Sequence, residues 1–198
     1  MLKKEQLDTL VARNHGYMRT SDVVGLGISK TYLAEYAAKH DLIRVAHGLY
    51  MSPDAWEDGI YIIQVKYPEA VFSHETALYL LNMADREPLR YAVTFKSGTN
   101  ASRLISQGVN VYKVREALIR EGLTEAESPS GHRVRVYNAE RTICDLIRSR
   151  KRVDIQDLQS AVTVYMRSKE KNIPLLMRYA KLFAVEQTIQ RYIEVLLP

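Results

Sequence analysis

Three runs with helical spacing followed at once by a short hairpin occupy residues 1–53, and that order leaves few folds open. The first run, "LKKEQLDTLVARN", puts Leu7, Leu10 and Val11 on one helical face, and Gly16 closes it. The second, "TSDVVGLG", offers Thr20 or Ser21 as an N-cap, then one or two turns, then Gly25 and Gly27 as stops. The third, "ISKTYLAEYAAKH", has Ser29 as its N-cap. Ile28 just outside it and Leu33 at the fourth helical position form a hydrophobic staple. "LIRVAHGLYMSP" then reads as two very short strands around a His-Gly turn.

Helix, helix, helix, hairpin is the order of a winged helix-turn-helix. Gly27 in "LGIS" permits the bend between the second and third helices. In such a unit the third helix enters the major groove of DNA. With Leu33, Tyr36, Ala37 and His40 turned inward, the outer face carries Thr31, Ala34, Glu35 and Ala38. Two alanines there allow close approach to a groove, and the helix N-terminus attracts phosphate. Glu35 repels phosphate and could serve only as an acceptor for cytosine N4. In the hairpin, Val45 and Leu49 are expected inward, with Arg44 and His47 toward the DNA backbone. The candidate DNA-contacting residues are Arg19, Thr20, Ser29, Lys30, Thr31, Tyr32, Lys39, Arg44 and His47. The plainer alternatives are a solvated surface helix and a His-Gly pair that only makes the turn.

The rest of the chain mixes both element types, so the expected class is α+β: a winged helix-turn-helix, then a mixed α/β domain ending in helices. Residues 54–84 read as two helices broken at Pro68 and restarted by Ser73. With the winged helix they make a DNA-binding part over 1–84, and 85–198 form the C-terminal domain. "LRYAVTFKSG" and "VNVYKV" read as strands with a short helix, "NASRLISQG", between them. "GLTEAESPSGHRVRVYN" reads as a hairpin turned by Pro129 to Gly131, with Val134 and Val136 alternating with Arg133, Arg135 and Tyr137. Asn138, Asp154 and Asn172 cap the last three helices, the final one running unbroken through "IPLLMRYAKLFAVEQTIQRYIEVLL". In the helix after Asp154, Ile155, Leu158, Val162 and Tyr165 share one face.

Charge distribution adds a second candidate surface. The net charge is +5, with a basic surplus in residues 1–53 and 111–198 and a deficit between them. Arg148, Arg150, Lys151 and Arg152 form a dense run, and Arg133 and Arg135 alternate on a strand. Together they are a candidate patch for DNA beside the winged helix, or for an acidic or nucleotide-bearing partner. The plainer alternative is a solvated helix end whose cations offset the dipole. Arg141 and Asp145, four apart, can pair. Glu140 and Arg141 are expected to serve structural capping.

Several function classes recede. The single cysteine, Cys144, excludes an intramolecular disulfide and a multi-cysteine zinc site, and its neighbours predict a buried thiol. No apolar run approaches ~20 residues, and the first ten residues lack a long apolar segment, so a cytoplasmic protein is expected. No HExxH, GxSxG or P-loop pattern occurs, and the strand bearing Lys96 has no carboxylate before it for a nuclease metal. Ser73-His74 reads as a cap and its neighbour, not a nucleophile and base. Neither an enzyme nor a cofactor or metal is expected.

The chain resembles the AbiEi-type antitoxins of bacterial type IV toxin–antitoxin (abortive infection) systems. The resemblance is carried by "GYMRTSDVVGLGISKTYLAEYAAKHDLIRVAHGLYMSP", "FSHETALYLLNM" and "NAERTICDLIRSR". It departs at His47, where the family's wing commonly has a basic residue. The resemblance implies a winged helix that binds inverted repeats at its own promoter and represses it. It also implies a C-terminal domain that counters a nucleotidyltransferase-like toxin without a stable complex. A monomer in solution, cooperative on DNA, is expected. The rival from another class is a stand-alone repressor whose C-terminal part senses a ligand or dimerises.

Overall fold

The computed structural model describes residues 2–196. They fold as two compact units, one of the described residues up to Pro68 with 127–133, the other of 69–126 with the described residues from Val134 on. Helix and sheet are mixed throughout.

In the first unit, Leu7 of α1 (Lys3–Arg13) is fully buried against the start of the chain's first sheet. Asn14 ends α1, Gly16 turns with φ +88°, and Tyr17–Arg19 form β1. β1 is absent from the sequence reading, because three residues are too short for a period-2 signal. It pairs antiparallel with β3 (Leu49–Met51), which pairs with β2 (Ile43–Ala46), giving the order β1-β3-β2. A bulge between Arg44 and Ala46 bends β2, so Val45 is half-buried while Leu49 is fully buried.

The pairing of β1 corrects the expected cap of α2 (Thr20–Gly25). Arg19 is the extended N-cap residue, and Thr20 is the first helical residue. Its N–H donates to the Gly48 carbonyl at 2.8 Å, so the wing turn satisfies that orphan donor. Gly27, φ +74°, ends the α2 turn. Ser29 caps α3 (Lys30–Lys39) as expected, its Oγ accepting from Tyr32 N at 3.2 Å. Ile28 and Leu33, both 2% exposed, complete the staple in a core shared with Leu7, Met18 and Val23. Tyr36 donates its hydroxyl to Asp8 Oδ1 at 2.6 Å, tying α3 to α1.

α4 (Gly59–Lys66) completes this unit. Asp58 caps it, accepting from Tyr61 N at 2.9 Å. Residues 127–133, the turn between β7 (Leu123–Glu127) and β8 (Arg133–Tyr137), belong here too. Ser130 N donates to the other Asp58 oxygen at 3.2 Å. His132 stacks on Tyr61 at 3.7 Å and meets Tyr17 edge-on at 5.1 Å.

The second unit is built on a five-stranded mixed sheet of order β6-β5-β4-β8-β7. β4 is Val71–Phe72, β5 Ala92–Lys96 and β6 Asn110–Val114. β4 runs antiparallel to β5 and parallel to β8, and β5 runs parallel to β6. α5 (His74–Leu80) packs on β5 and on α7 (Ala139–Arg148), with α6 (Ser102–Ser106) between β5 and β6. The first passage between the units falls after Pro68, and α5 lies in the second unit.

α7 buries every residue from Glu140 to Ile147. Around it pack α8 (Ile155–Arg167), α9 (Ile173–Leu182) and α10 (Glu186–Leu196). Asn138, Asp154 and Asn172 cap α7, α8 and α9 through their side chains, as expected. Two expectations need correction. Ile155 is 58% exposed, and the buried stripe of α8 is Leu158, Ala161, Val162, Tyr165 and Met166. The final helix is two, broken where Ala184 takes φ +56° between buried Phe183 and Val185. No glycine or proline marks that break. The core demand for both flanking side chains sets it. Among the described residues no helix is long and apolar enough to cross a membrane.

Candidate nucleic-acid interface

α3 presents its outer face as expected. Lys30, Thr31, Ala34, Glu35, Ala38 and Lys39 are exposed, while Leu33, Tyr36 and Ala37 are buried. His40 stacks on Tyr36 at 4.2 Å on the inner side. Tyr32 is half-buried with the Lys3 ammonium 5.7 Å from its ring centre. The small outer face of a capped ten-residue helix, with an amide-rich N-terminus and Lys30 in the first turn, suits a phosphate-lined groove.

The wing is more specific than its sequence suggested. Arg44 Nη2 lies 3.0 Å from His47 Nδ1, and both side chains are exposed. A guanidinium only donates, so Nδ1 is the acceptor and carries no proton in this pair. His47 is thus a partner that orients Arg44. Arg19 and Thr20 are placed differently from the rest of the set. Arg19 is half-buried with its guanidinium 5.3 Å from the Tyr61 ring, and Thr20 is half-buried beside the wing turn.

The basic run of the second unit is contiguous, and two of its members are fixed from below. Arg148 Nη2 lies 3.4 Å from Asp145 Oδ1. The Arg152 guanidinium lies 4.3 Å from the Tyr112 ring, whose other neighbour is the His74 imidazole, stacked at 3.5 Å. Arg150 and Lys151 are exposed. Arg133 falls in the first unit and is exposed, whereas Arg135 falls in the second and is half-buried.

Polar groups beneath this loop are structural. His74 is fully buried, and its two ring nitrogens lie 3.0 Å from Ser73 Oγ and 3.0 Å from Ser149 Oγ. Thr94 Oγ1 donates to Ser73 Oγ at 2.8 Å. Ser73 stands at the N-cap of α5, as expected, but makes no side-chain cap, its Oγ meeting the His74 ring instead. Burial and the nearby Arg148, Arg152 and Arg141 hold His74 neutral, its pKa well below the ordinary 6.5. Glu140 is an interior hub and not a cap: it accepts from Tyr165 Oη at 3.0 Å and from Asn172 N at 3.3 Å. Burial pushes the Cys144 thiol up to about 12, so it is inert.

Sequence reasoning missed the cluster of His15, Tyr17, Tyr61 and His132 in the first unit. Its members are scattered over more than a hundred positions, and no local pattern brings them together.

A three-stranded wing, a capped and exposed third helix and a small inner core define a winged helix-turn-helix of the transcription-regulator class. The family described as "Transcriptional regulator, AbiEi antitoxin" matches residues 5–53, so over that segment the chain is similar to the AbiEi-type antitoxin regulators. No curated protein matches the sequence. Among solved structures the chain is similar to the RV2827C protein from Mycobacterium tuberculosis. Identity is 11%, TM-score 0.59, and the match covers 90% of this chain and 71% of that one. That likeness concerns the fold alone.

Proposed function

We propose that this chain is the antitoxin of a type IV toxin–antitoxin pair and represses its own operon by binding promoter inverted repeats. The observation that carries the DNA-binding half is the exposed, small-residue face of α3 inside a segment that matches the antitoxin regulators. Lys30 and the α3 N-terminus meet phosphate, Thr31 meets a base edge or phosphate, and Arg44, oriented by His47, meets the flanking backbone. Ser29, Tyr32 and Lys39 border this surface. The second unit counters a nucleotidyltransferase-like toxin without forming a stable complex. The chain acts in the bacterial cytoplasm as a monomer, cooperatively on DNA, and catalyses no reaction.

The test of the DNA-binding half is a gel shift on the DNA upstream of the operon. Lys30→Ala with Thr31→Ala is expected to weaken binding at least tenfold and to lower the salt slope by about one unit. Unchanged affinity removes α3 from the interface. The antitoxin half is tested by co-expression with the neighbouring toxin, where the full chain is expected to restore growth. A stand-alone repressor leaves growth arrested. Arg150, Lys151 and Arg152 reversed together to Glu are expected to impair operator binding or rescue. Arg148 is left in place because it pairs with buried Asp145. If both activities survive the reversal, the run is solvated surface.

A further inference from the structure

The face that α3 turns outward is not uniformly basic. At about 100° per residue, Thr31, Glu35 and Ala38 lie within about 40° of the direction opposite the buried stripe of Leu33, Tyr36 and Ala37. Lys30 and Lys39 fall on opposite flanks of that face. The cations therefore stand toward the walls of a groove, where the phosphates are. The centre, which meets base edges, holds one charged side chain, and it is a carboxylate.

Glu35 is also kept apart from the cation nearest to it in sequence. Lys39 stands four residues on, the spacing and order in which a helix forms its more favourable Glu–Lys pair. Among the described residues no ion pair or hydrogen bond engages the side chain of Glu35 or of Lys39. Both carboxylate oxygens of Glu35 are thus open acceptors. Thr31 and Ala38, its helical neighbours four before and three after, are small and let the helix approach a base edge closely.

Only two groups on the base edges of the major groove can meet such an acceptor, cytosine N4 and adenine N6. The other polar groups there are acceptors that repel a carboxylate. On adenine the acceptor N7 stands beside the donor. On cytosine the neighbour is a C–H, so the carboxylate meets no opposing lone pair. We propose that Glu35 is the specificity-determining residue of α3 and accepts a hydrogen bond from cytosine N4 in each half of the operator repeat. The inference rests on the reading of α3 as the DNA-contacting helix. The same charge has a second effect. It repels the acceptors of any other sequence, and so it lowers the non-specific affinity that the lysine flanks supply.

The test is selection of bound duplexes from a randomised DNA pool by the full chain and by its Glu35→Ala and Glu35→Gln variants. The wild-type chain is expected to fix a cytosine at one position of each half-site. Glu35→Ala loses the preference at that position alone. Glu35→Gln moves it to adenine, which glutamine reads through N6 and N7. A second arm places N4-methylcytosine at that position of the selected duplex, where the methyl group replaces the N–H in the major groove. Wild-type binding is expected to weaken about tenfold, and Glu35→Ala binding to stay unchanged. Identical base preferences in the wild type and Glu35→Ala overturn the proposal. So does a methyl group that leaves wild-type binding unchanged, or that weakens both proteins equally and acts only by its bulk. A wild-type chain that enriches no sequence is a different result: it removes the DNA-binding reading of α3, and this assignment with it.

Discussion

Asp145→Ala is expected to lower the stability of the second unit by about 3–5 kcal/mol, the usual consequence of stripping one member from a buried ion pair. Asp145 and Arg141 are both fully buried, with Asp145 Oδ2 accepting from Arg141 Nε at 2.8 Å. The guanidinium is otherwise held by the Leu118 and Glu121 carbonyls, each 3.0 Å from Nη1. The rings of Phe183 and Tyr137 lie 3.8 and 4.2 Å from its centre. These contacts orient the charge, and only Asp145 neutralises it. Burial raises the Asp145 carboxyl more than Arg141 and Arg148 lower it, so the pair is already under desolvation load. Urea unfolding followed by far-UV circular dichroism, which weights the helices of this unit, measures the loss. A loss under about 1 kcal/mol contradicts the uncompensated-charge argument, since that is the scale of an exposed pair. The paired replacement Arg141→Met with Asp145→Leu removes both charges and is expected to recover most of the loss.

Acidification from pH 7 to pH 5 is expected to destabilise the same transition through His74, by at most about 2 kcal/mol, the ceiling set by titration of an ordinary histidine in the unfolded chain. Its folded pKa lies well below the unfolded value because burial and three arginines disfavour the imidazolium. Protons therefore bind the unfolded chain preferentially as pH falls through the ordinary histidine range. The stability is fully present above that range and drains away below it. His74 adopts φ +53°, a conformation that asparagine tolerates better than most residues. His74→Asn should thus keep the backbone, lower stability at neutral pH, and flatten the slope between pH 7 and 5. An unaltered slope in that variant assigns the acid sensitivity elsewhere. His132 also has its pKa lowered, chiefly by burial, but it sits in the first unit. The same pH slope measured in a His132→Asn variant separates the two.

The winged helix was legible because its signals are local. Ser29, Ile28 and Leu33 mark the start of α3, and the spacing of Leu33, Tyr36 and Ala37 sets its inner face. The Arg141–Asp145 pair was legible for the same reason, being one turn apart. β1 and β4 escaped because strands of two or three residues have no period, and their pairing partners lie far along the chain. The break at Ala184 escaped because it obeys the core and not the local sequence. Within the candidate interface, residue types pointed to Arg44 and His47 separately, and only the folded wing brings them to 3.0 Å.

The assignment of residues 127–133 to the first unit makes that unit discontinuous in the chain. No single cut yields it whole. A fragment ending at Pro68 loses His132 from Tyr61 and Ser130 from Asp58, and bares Tyr17 and Tyr61 to water. A fragment beginning at 85 carries the seven-residue turn away, together with a hairpin whose tip has lost its seat. Truncations that assign repression to one end and toxin neutralisation to the other therefore damage both products. Point substitutions on α3 and on the Arg150–Arg152 loop keep the chain's three crossings between the units intact, and they are the sound way to divide its labour.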